Sequence, residues 1–157
     1  YDENMVPEIL KIGSWEELKK GDKVAILAVG SMVGVVNENY NQICEQIGFS
    51  PTLINARFIK PLDNNFLSEI SGKYDLIVTM EEGALNGGFG SAVLEEANRR
   101  NLDTSQVTIL GIPDRFIGHG SRKEQLEDAG IDVVSIGNAA SQILQSQFDD
   151  TPVVVTQ

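Results

Sequence analysis

Arg57 is the residue whose type and position most clearly invite chemistry. It stands between a short apolar run, Thr52-Leu53-Ile54-Asn55, and a turn, Lys60-Pro61-Leu62-Asp63. The run reads as a strand, and Asp63 is placed to cap a following helix. Open α/β sheets collect ligands at the carboxyl ends of their strands. Arg57 is therefore a cation where such folds bind, and its planar fork offers a phosphate two parallel hydrogen bonds. An ion pair with Glu81 or Glu82, which also follow a strand, is the plainer reading of the residues alone, which leave both roles open.

Four further groups have chemistry in their types. Gly87-Gly88-Phe89-Gly90 precedes a helix and could cradle a phosphate at its N-terminus. The run matches neither a Walker A loop nor a dinucleotide fingerprint, and glycines also serve tight turns and close packing. Glu81 and Glu82 could be a general-acid pair. Neighbours in a strand point to opposite faces, however, so both cannot aim at one atom, and a structural or helix-capping role is expected. His119, the one histidine, lies in Gly118-His119-Gly120 with no second histidine or cysteine cluster to complete a metal site. Proton transfer or a surface role remains for it. Cys44 falls on the apolar stripe of a helix, where a structural thiol is expected.

These groups need a scaffold, and the pattern supplies one. Strands are expected over 8–12, 24–29, 51–55, 75–80 and 107–112, and those over 24–29 and 75–80 are of the apolar kind buried on both faces. Ser14 and Glu17 match a capping box, predicting a helical turn to Lys20. Apolar residues from Met32 to Ile47 recur at three and four, predicting one amphipathic helix capped by Ser31 and ended by Gly48. Further helices are expected over 64–71, 91–100, 121–130 and 138–147, with a second capping box at Ser121 and Glu124. After Asp149 only Val153-Val154-Val155 stands out. Alternating strands and helices predict an α/β domain, a mostly parallel sheet with helices on both faces.

The 157 residues predict a single domain spanning 1–157. With 12 basic and 23 acidic residues the net charge is −11. That argues against non-specific binding to nucleic acid or to an anionic membrane. An anionic ligand would depend on a few local cations. No apolar run approaches the ~20 residues needed to span a bilayer, and no signal-peptide pattern opens the chain. One cysteine forms no internal disulfide, so a cytoplasmic location is the expectation. Position 1 is Tyr, as in a piece of a longer chain.

Four segments together carry a resemblance. They are Asn55-Ala56-Arg57-Phe58-Ile59-Lys60-Pro61-Leu62-Asp63, Glu81-Glu82-Gly83-Ala84, Gly87-Gly88-Phe89-Gly90-Ser91-Ala92-Val93, and Gly111-Ile112-Pro113-Asp114-Arg115-Phe116-Ile117-Gly118-His119-Gly120. In order and spacing the chain from about Lys23 to Gly130 resembles the carboxy-terminal domain of the 1-deoxy-D-xylulose-5-phosphate synthases, which are transketolase-like enzymes. The resemblance implies a three-layer α/β/α domain of about five strands, the first antiparallel to the rest. It implies the third domain of a homodimeric transferase joining pyruvate to D-glyceraldehyde 3-phosphate with loss of carbon dioxide, for isoprenoid, thiamine and pyridoxal phosphate synthesis. It implies that thiamine diphosphate and magnesium sit in the preceding domains. No catalytic, cofactor or metal residue is then expected in this chain, which alone would be inactive. It assigns Arg57 to the phosphate of the aldehyde substrate. The corresponding domain of a transketolase or of a 2-oxo acid dehydrogenase beta subunit is the alternative, as is a non-catalytic domain that buttresses a dimer.

Overall fold

The computed structural model describes residues 9–149, with side chains described to residue 141. Five strands form one sheet: β1 (Glu16–Lys19), β2 (Val24–Ala28), β3 (Thr52–Asn55), β4 (Leu76–Ala84) and β5 (Val107–Ile112). Their order is β1-β3-β2-β4-β5. The pairs β2–β3, β2–β4 and β4–β5 are parallel, and β1 alone runs antiparallel, on β3.

The helices are α1 (Ser31–Glu38), α2 (Tyr40–Ile47), α3 (Asn64–Ile70), α4 (Phe89–Arg99), α5 (Arg122–Ala129) and α6 (Val133–Asp149). Alternation along β2 sorts the core into two layers. Val24, Ile26 and Ala28 pack with Met32 and Val36 of α1, Ile43 of α2, and Ile136 and Ala140 of α6. Ala25 and Leu27 face the other way, against Leu67 of α3 and Phe89 and Val93 of α4. Each fully buried Leu or Ile contributes about 1.5–3 kcal/mol by leaving water. The result is the expected three-layer α/β/α arrangement with its first strand antiparallel.

Several local expectations are corrected. Residues 9–12 form no strand, and Glu8 lies outside the described residues, as do Val153-Val154-Val155. The capping-box reading of Ser14 and Glu17 fails as well, because residues 16–19 are the antiparallel strand. Only Leu18 of that strand is apolar enough to reach the core, so its two-residue alternation was too faint to outweigh the capping pattern. The single helix over 32–47 is two helices broken at Asn39, whose side-chain amide donates to the Val35 carbonyl. Such a local bond competes with the helical one. Ser31 is the first helical residue, the cap position falling to Gly30. Other signals hold: Gly48 and Gly130 end α2 and α5 in the left-handed conformation, and Ser121 with Glu124 forms a complete capping box.

Candidate functional site

Arg57 sits just past the carboxyl end of β3, and its surroundings follow from the sheet. Parallel strands all deliver their carboxyl ends to one edge. The antiparallel β1 delivers its amino end there instead, pairing Glu16 with Asn55, the last residue of β3. Ser14 and Glu16 thus arrive beside Arg57. The guanidinium donates from Nε to the Ser14 carbonyl, from one terminal nitrogen to the Ser14 hydroxyl, and from the other to Glu16 Oε2, each at 3.4 Å. Asn55 Nδ2 donates to the same Glu16 oxygen at 3.3 Å. The Arg57 side chain retains 22% of its exposure and Glu16 43%, so the pair is wet and contributes only about 0–1 kcal/mol. The partner expected among Glu81 and Glu82 is in fact Glu16.

The segment carrying Ser14 is pinned at both sides of the site. Trp15 is buried against the rings of Phe66 and Phe89, and its indole N–H donates to the Phe58 carbonyl at 2.9 Å. The Trp15 amide donates to Asp63 Oδ2 at 2.9 Å, while Asp63 Oδ1 accepts from the Phe66 amide and caps α3. Asp63 therefore fulfils its expected role and fastens the strap as well. The loop between Arg57 and Asp63 holds a cis peptide bond at Lys60-Pro61.

Glu81 and Glu82 part as alternation requires. Glu81 turns inward, 5% exposed. Its carboxylate accepts from the Phe89 amide at 2.8 Å and the Gly90 amide at 2.9 Å, closing the N-terminus of α4. Gly88 is obligatory for this approach, since a Cβ there would lie 2.4 Å from Glu81 Oε2 and 2.3 Å from the Ala84 carbonyl. The glycine-rich loop thus bonds the chain's own carboxylate, and those two amides are not open to a phosphate or a cofactor diphosphate. Glu82 turns outward to the Ser31 hydroxyl and to Arg122, 2.9 Å away. The Arg122 guanidinium, and then Ser31, hold its carboxyl below the usual value near 4.5. This contact ties α5 to the sheet end between β2 and β4.

The remaining candidates lie apart. His119 is exposed on the 113–120 loop, near Glu124 and Asp128. Arg115 anchors that loop by a fork onto Asp128, lowering the carboxyl's pKa. Among the described residues no group of three or more His, Cys, Asp and Glu is placed to hold a metal ion. Cys44 is half-buried near Ser50. An open cleft of about 700 Å³ runs between the 59–62 loop and the glycine-rich loop, with Glu81 and Gly88 in its wall. Sequence reasoning missed Ser14 and Glu16 because it placed them on a helix. Among the described residues no helix is long and apolar enough to cross a membrane.

Comparison with known proteins gives this geometry its relatives. Residues 13–136 match the family described as transketolase, C-terminal domain. The chain is 43% identical over 122 residues to a 1-deoxy-D-xylulose-5-phosphate synthase of Bacillus mycoides, covering 78% of this chain and 19% of that protein. It is 42% identical over 140 residues to the synthase of Magnetococcus marinus, covering 88% of this chain and 22% of that one. The chain thus spans about one fifth of the length of these curated relatives. Among solved structures, a split-gene transketolase in an inactive beta4 tetramer superposes with a TM-score of 0.75 at 28% identity, over 92% of this chain and 46% of that one. A transketolase of Campylobacter jejuni shares the fold at a TM-score of 0.54 and 21% identity, over 83% of this chain and 18% of that one.

Proposed function

The chain belongs to the transketolase C-terminal domain family, and from that premise we propose that it is the third domain of a 1-deoxy-D-xylulose-5-phosphate synthase. The enzyme joins pyruvate to D-glyceraldehyde 3-phosphate with release of carbon dioxide, as a step in isoprenoid, thiamine and pyridoxal phosphate synthesis. Residues 1–157 form one domain of a larger cytoplasmic homodimer, and the isolated chain is inactive. Thiamine diphosphate supplies the carbanion chemistry, and it binds with magnesium in the preceding domains. Among the described residues neither group finds a site, because the glycine-rich helix start is bonded to Glu81 and no group of three or more His, Cys, Asp and Glu is placed to hold a metal ion.

The observation that carries the reading is Arg57, a part-exposed guanidinium at the ligand-binding end of the sheet, tethered among the described residues by long hydrogen bonds. Three of the five N–H groups of an arginine point to Ser14 and Glu16, leaving one on each terminal nitrogen. Those two fork onto the phosphate of the aldehyde substrate, adding charge-assisted bonds where the overall charge of −11 is otherwise unfavourable. The phosphate end is thereby held, and the aldehyde carbon is presented to the cofactor domain.

The test is a product assay of the full-length enzyme. Pyruvate with glyceraldehyde 3-phosphate should yield 1-deoxy-D-xylulose 5-phosphate, and transketolase sugar donors should give no turnover. Turnover of the sugar donors instead would place the domain in a transketolase.

A further inference from the structure

The strap that carries Ser14 and Glu16 does more than complete the sheet edge: we propose that Glu16 is a positioning residue, orienting Arg57 for the substrate phosphate. The inference rests on the phosphate-binding reading of Arg57. An unrestrained arginine side chain loses considerable rotamer freedom on gripping a ligand. Here that loss is met in advance. Ser14 takes one edge of the guanidinium with its carbonyl and hydroxyl, and Glu16 takes the remaining terminal nitrogen.

Glu16 is itself aimed. Asn55, opposite it in the β1–β3 register, donates to the same carboxylate oxygen that faces Arg57. Ser14 is held by its own bond to the Lys11 carbonyl at 2.7 Å and by the neighbouring Trp15 amide on Asp63. Each element of the device is thus fixed to a different part of the fold: β3, the strap and the start of α3. The long 3.4 Å contacts suit a guide rather than a lock, since they leave the fork free to tighten onto an incoming dianion. Glu16 touches no substrate, and it acts through the direction in which Arg57 points.

The experiment measures KM and kcat of the full-length synthase for glyceraldehyde 3-phosphate and for unphosphorylated glyceraldehyde. The variants are Glu16→Ala, Glu16→Gln, Asn55→Ala, Arg57→Ala and the Glu16→Ala/Arg57→Ala double variant. Glu16→Ala should raise KM for the phosphorylated aldehyde about 3- to 10-fold, the worth of one ordinary hydrogen bond, with kcat held. The unphosphorylated aldehyde should be used as before. Glu16→Gln, whose amide oxygen still accepts, should recover most of the loss. Asn55→Ala should reproduce the selective loss, and Glu16→Ala should add nothing once Arg57 is gone. If Arg57→Ala is phosphate-selective while Glu16→Ala leaves KM unchanged or lowers it, the positioning role is wrong and the phosphate reading stands. Equal losses on both aldehydes in Glu16→Ala also overturn it, as a purely structural effect. If Arg57→Ala itself does not discriminate, both claims fall.

Discussion

Replacing Glu81 by alanine should destabilise the domain severely without touching any residue assigned to substrate. Glu81 is almost fully buried and accepts two backbone N–H groups at the start of α4. Hydrogen bonds to a charged acceptor contribute about 1.5–3 kcal/mol each, and a carboxylate at a helix N-terminus adds a dipole contribution. Two effects subtract. The desolvation of a buried carboxylate is recovered when it is removed, and water from the adjoining cleft can reach part of the vacated site. The expected net loss is about 2–4 kcal/mol, a large part of the 5–15 kcal/mol typical of a domain. Glu81→Gln should lose about half as much, because its amide oxygen satisfies one N–H while its NH₂ faces the other. Urea unfolding of the 157-residue chain followed by circular dichroism reads both. A Glu81→Ala variant within about 0.5 kcal/mol of the parent, at unchanged m-value, would refute the capping argument.

Two further outcomes are expected. Glu82 has its folded pKa lowered by Arg122 and then by Ser31, below an unfolded value near 4.5. A depressed carboxyl stabilises above the unfolded value and loses that contribution as pH falls through the folded one. The stability gap between the parent and Glu82→Gln should therefore be full at neutral pH and shrink below about 4.5. A gap constant down to strongly acid pH contradicts this. Calorimetric titration of the isolated chain with thiamine diphosphate and magnesium should show no saturable heat, and tight binding would overturn the placement of the cofactor in other domains.

How much of this was legible in the sequence depends on the kind of signal. The buried strand 24–28 announces itself by an unbroken apolar run, and the half-buried 107–112 by a run broken only at Thr108 and Gly111; both lie within or at the expected spans. The caps at Asp63, Ser121, Gly48 and Gly130 are legible because they act through local geometry, whereas Ser14 and Ser31 only look like caps. The edge strand β1 is half-exposed and carries one core residue, so its sequence is nearly free to look helical. That error concealed the site's own partners, since only an antiparallel β1 brings Glu16 back to the end of β3. The separate fates of Glu81 and Glu82 were readable from strand alternation. Which of them would turn inward was not, because it depends on how β4 continues past Met80 through a register irregularity against β5.

The most direct measurement of the central claim compares kcat/KM of Arg57→Ala and Arg57→Lys in the full-length synthase, on glyceraldehyde 3-phosphate and on glyceraldehyde. Losing even one charge-assisted bond of the fork, about 1.5–3 kcal/mol, should lower kcat/KM for the phosphorylated aldehyde by about 10- to 150-fold, and this is the least expected of Arg57→Ala. The lysine variant should restore part of it, because the charge returns without the fork. The unphosphorylated aldehyde should be nearly indifferent to either change. Equal losses on the two aldehydes would make Arg57 only a tether for Ser14 and Glu16 and would contradict its role in holding the substrate phosphate.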